Sequence, residues 1–71
     1  METGKKLRIL LEHWIEHNAA HGEEFEKWVQ RSQEADLQAA SAEISAAADC
    51  FQEATHHLRL ALSQLNENPE G

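Results

Sequence analysis

Three histidines stand four residues apart, at His13, His17 and His21, and two more are adjacent at His56 and His57. With the single Cys50 they make up the chain's imidazole and thiol donors, the groups that hold soft and borderline metals. On an α-helix a four-residue step turns about 40° and rises about 6 Å, so neighbours in the trio share one stripe. That spacing lets a helix offer two imidazoles to one ion. The trio as a whole cannot serve one ion, because His13 and His21 are separated by about 12 Å along the axis and metal–nitrogen bonds are about 2 Å. A metal centre here needs two of these histidines and further donors from a second element.

That element is legible in the hydrophobic period. Gly, Pro and β-branched residues are sparse, while Ala, Leu, Glu, Gln and Lys dominate, so the chain is predicted to be all-α. Leu37, Ile44, Phe51, Leu58 and Leu65 recur every seven residues, and Ala40, Ala47, Ala54 and Ala61 follow the first four by three. In the first half Leu7, Trp14, His21 and Trp28 form one row and Leu11, Asn18 and Phe25 a second. The phase carries across Gly22. The expected organisation is a single domain over residues 1–71: a helix at about 4–31, a turn at about 32–36, a helix at about 37–66 and a disordered tail at 67–71. Ser32 or Asp36 is the expected cap of the second helix.

Two such helices make an antiparallel hairpin. With the turn centred near Gln33 and Glu34, Trp14 faces Ala54, His21 faces Ala47 and Trp28 faces Ala40, each large ring against a small residue. Trp14, Trp28 and Phe25 are thus expected in the core. A hairpin leaves one side of its seam open, and Leu10, Ile15, Val29, Leu60 and Leu62 lie partly off the internal contact. The expectation is a homodimer, two hairpins pairing into a four-helix bundle with two-fold symmetry. The alternative is a three-helix bundle broken near Gly22.

The same facing puts His13 opposite Thr55, His17 opposite Phe51 and Asn18 opposite Cys50, with His57 near the level of His13. The candidate metal set is therefore His13 and His17 with His57 and Cys50, while His21 either completes a second site with His17 and Cys50 or packs. Nitrogen and sulfur donors favour zinc, nickel, cobalt or copper over magnesium or calcium. Glu12, Glu16 and Glu53 are near enough to fix imidazole tautomers. Without a metal, the histidines are interfacial side chains and Cys50 a small buried hydrophobe.

Composition narrows the field. A formal charge of −7, with 13 acids against 6 scattered bases, argues against nucleic-acid binding, which needs a clustered basic surface. No run is long and apolar enough for a membrane span, and the stretch Met1–Lys6 leads into an amphipathic segment. One cysteine cannot form an internal disulfide and suits a reducing compartment, so a soluble cytoplasmic chain is expected. Glu53 and His56 have the Glu-x-x-His spacing of di-iron bundles, with Glu12 or Glu16 as bridging carboxylates, but all fall at outward heptad positions. No phosphate loop or nucleophile motif is present, so catalysis is not expected.

The segment His13-Trp14-Ile15-Glu16-His17-Asn18-Ala19-Ala20-His21, followed by Phe25 and Trp28, resembles a signature of small uncharacterised prokaryotic helical domains. The resemblance spans most of residues 7–65 and implies that the histidines, Trp14 and Asn18 form a characteristic face; it implies no activity, and Gly22 departs from it. Two functions follow as expectations. One is a transition-metal-binding protein that buffers or passes on an ion, with an affinity that falls below about pH 6 as imidazoles protonate. The other is a non-enzymatic dimerisation module with structural histidines. In the first, His13→Ala, His17→Ala and His57→Ala abolish metal binding and His56→Ala spares it.

Overall fold

The structure, a computed structural model, describes residues 2–67. It is all-helical: α1 spans Glu2–Glu34 and α2 spans Gln38–Glu67, and the two pack against each other as an antiparallel hairpin. No strand occurs among the described residues. The rod measures 52 × 14 × 12 Å, the length that 33 helical residues reach at about 1.5 Å each. Residues 68–71, most of the expected tail, lie outside the described residues.

Helix α1 runs unbroken through Gly22, which removes the three-helix alternative. A methyl group at Gly22 would have no heavy atom within 4 Å outside its own helix backbone. Gly22→Ala is therefore expected to stabilise the fold by about 0.5–1 kcal/mol, measured by urea unfolding, because it restricts the unfolded chain without a clash.

Helix α1 ends three residues later than the spacing suggests, which moves the centre of the turn by about two residues, and the turn's hydrogen bonds define how α1 stops. The Leu37 amide donates to the Ser32 carbonyl at 2.8 Å and the Asp36 amide to the Gln33 carbonyl at 3.0 Å. Asp36 sits between them with φ of 62°, the left-handed residue of a Schellman closure. Glycine is the usual occupant because it has no Cβ to strain there, so Asp36→Gly should raise stability by about 1 kcal/mol, or about 4–8 °C in Tm. Neither expected cap acts as one. The Leu37 carbonyl receives the first bond of α2, from the Ser41 amide at 2.9 Å, while the Ser32 hydroxyl turns back to the Trp28 and Val29 carbonyls at 2.7 and 2.9 Å.

The seam also differs from the expected one. On α1 it consists of Leu11, Ile15, Asn18, Phe25, Val29 and Ser32; on α2 the row Ile44, Phe51, Leu58 and Leu65 is paired with Ser41, Ala48, Thr55 and Leu62. The alanines at 40, 47, 54 and 61 are exposed, as are Trp14 at 40% and Trp28 at 49%. Small hydroxyl residues explain the change. The Ser41 hydroxyl donates across the hairpin to the Val29 carbonyl at 3.1 Å, and that of Thr55 to the Phe51 carbonyl at 2.8 Å. Each buried O–H thus has an acceptor, so these short side chains fill the contact without an unmade hydrogen bond. Phe25 keeps its place, edge-on to Phe51 with centroids 5.1 Å apart.

Candidate metal centre

The middle of α1 brings two imidazoles to one point. His17 is exposed and His21 half-buried, and their Nε2 atoms are 3.0 Å apart. His21 is held by aromatic rings from both helices, with its centroid 6.2 Å from Phe25 and 5.9 Å from Phe51. The rings of His17 and His21 meet nearly edge-on, at 83° and 4.4 Å. Without an ion, one Nε2–H donates to the other Nε2. Two nitrogens each about 2.0–2.1 Å from a shared ion stand about 2.9–3.4 Å apart for octahedral or tetrahedral angles. The pair is thus already spaced for coordination, and its preorganisation comes from the phenylalanine clasp on His21.

The other candidates are placed differently. His13 is exposed and stacked on His17 with centroids 5.9 Å apart, so it extends the stripe without converging on the same point. It shares a shallow groove with Glu16, His17 and Ala20, where Glu16 is the carboxylate at hand to orient an imidazole. His57 is exposed beside His56, centroids 5.6 Å apart. Cys50 is an exposed free thiol on α2, not the buried hydrophobe of the metal-free reading. The late turn moves the facing of the helices by about one turn, so that His21, and not His17, meets Phe51. Among the described residues no group of three or more His, Cys, Asp or Glu side chains converges as a metal site. One chain supplies a pair.

The importance of the clasp was not read from the sequence. Its signal was available in the four-residue step from His21 to Phe25, which stacks an aromatic ring over the imidazole on one helix face. A family described as a domain of unknown function, DUF8180, matches residues 7–65. No curated protein and no solved structure matches the chain.

Proposed function

Since the chain belongs to the DUF8180 family, whose description names no activity, we propose a function from the site alone: a small, non-catalytic transition-metal-binding protein. The observation that carries it is the His17–His21 pair, with nitrogens at 3.0 Å and one ring fixed by packing. Imidazole donors select zinc, nickel, cobalt or copper. With only two donors converging, an ion on one chain keeps open positions for solvent or for donors from another molecule, which suits exchange better than a closed structural site. Cytoplasmic metal buffering or transfer is the role these features support. No described helix is long and apolar enough to cross a membrane.

Thermal unfolding of chelator-treated protein tests this. At 100 times its dissociation constant, zinc, nickel, cobalt or copper should add about 2.7 kcal/mol, or roughly 10–20 °C in Tm. No shift with any of the four ions overturns the proposal.

A second reading, a homodimeric interaction module, is favoured by the exposed apolar side chains. Leu7, Leu10, Trp14 and Trp28 are 37–49% exposed, and all lie on α1. Two hairpins pairing over such a surface would form a four-helix bundle.

A further inference from the structure

Four of the exposed apolar residues, Leu7, Leu10, Trp14 and Trp28, occupy the same flank of the hairpin as the histidine pair, whereas Ile9, Leu37 and Leu60 are exposed elsewhere. On one flank Ala19 and Glu26 of α1 line a shallow groove with Gln52 and Arg59 of α2. Leu7, Trp14, His21 and Trp28 stand on the other side of the α1 seam rows, and the alanine row of α2 stands on the matching side of α2. The second flank therefore carries large side chains on α1 and small ones on α2.

Along α1 this flank reads as a seam of its own: Leu7, Leu10, Trp14, His17, His21, Glu24, Trp28 and Arg31, alternating steps of three and four. The pattern is self-complementary in an antiparallel sense. When a second α1 is laid against it with His17 opposite His21, Leu10 falls opposite Trp28, and Trp14 opposite Glu24, whose carboxylate can accept from the indole N–H. Leu7 falls opposite Arg31, whose guanidinium already lies 4.9 Å from the Trp28 ring. Every layer occurs twice about a two-fold axis, and the axis passes between the histidines.

The exposed area agrees. The chain presents 5458 Å², whereas a folded monomer of 8.0 kDa presents about 4450 Å². A rod of 52 × 14 × 12 Å carries that excess as unpartnered surface, and a standard interface takes about 800 Å² from each partner.

We infer that a second copy of this chain docks antiparallel on the Leu10–Trp28 flank of α1, and that His17 and His21 of both copies form one four-imidazole centre on the two-fold axis. The inference rests on the metal-binding reading and names its missing donors: the second copy's own pair. Four neutral imidazoles make a tetrahedral site for zinc or cobalt.

The test is sedimentation equilibrium on chelator-treated full-length chain with and without zinc, together with zinc stoichiometry. The expected result is a dimer of twice the chain mass, tightened by zinc, binding one ion per two chains. Trp28→Glu should give a monomer and lower zinc affinity by more than about 100-fold, since two of four ligands are lost. Helicity should persist, because Trp28 is outside the α1–α2 seam. Should that variant unfold, Leu10→Lys serves in its place. An equimolar mixture of the two variants should recover the dimer, because the mixed pair keeps one native layer and gains one of opposite charges. One zinc per monomeric chain, with Trp28→Glu binding as tightly as the parent, overturns the shared centre and leaves metal binding standing. A dimer that Trp28→Glu breaks but that takes up no zinc overturns metal binding and, with it, the shared centre.

Discussion

Leu11→Ala is expected to cost about 3–5 kcal/mol, a large share of the stability of so short a chain. Leu11 is 3% exposed and Ala48 5%, and they are the buried hydrophobic residues among those described. Truncating a sealed leucine loses its transfer free energy and leaves a cavity. A domain of this length has a total stability of only about 4–10 kcal/mol, so one such loss takes a large share. Leu11→Met should cost under about 1.5 kcal/mol, because it conserves volume. Far-UV circular dichroism during urea titration reads both. A loss below about 1 kcal/mol for the alanine variant would mean that the seam collapses around the site and that Leu11 is not its anchor.

His21→Ala should remove the metal-induced stabilisation of about 2.7 kcal/mol at 100 times the parent's dissociation constant, and His17→Ala should do the same. Their Nε2 atoms, 3.0 Å apart, stand at the separation that two ligands of one ion take. Phe25→Leu should weaken binding less, because it loosens the clasp on His21 and leaves both donors in place. His13→Ala and His56→Ala should keep most of the metal shift. Thermal unfolding across this series separates the pair from a site built on His13, His17 and His57, in which His57→Ala would be as damaging as His17→Ala.

The helical class and the hairpin were legible in the sequence because the seven-residue rows on α2 continue without a break from Leu37 to Leu65. Which rows close the seam was not. Trp14 and Trp28 are the largest apolar side chains of α1, and hydrophobicity alone places them inside. The seam instead uses Ser32, Ser41 and Thr55, whose polarity counts against burial until their hydrogen bonds to the Trp28, Val29 and Phe51 carbonyls are known. A position one residue away on a helix turns by about 100°, so this exchange moved both indoles to the outside. The histidine step of four announced that neighbours could pair, but not which two. That was decided by Phe51 on α2, which steadies His21, and hence by a turn centred about two residues late and closed by the left-handed Asp36.

The most direct measurement is imidazole ¹⁵N NMR on uniformly labelled, chelator-treated protein as zinc is added. The account predicts that the Nε2 resonances of His17 and His21 shift together and saturate at one ratio of zinc to chain, while those of His13, His56 and His57 stay in place. Unmoved His17 and His21 resonances in zinc excess, or a joint shift of His13 and His57, would contradict it.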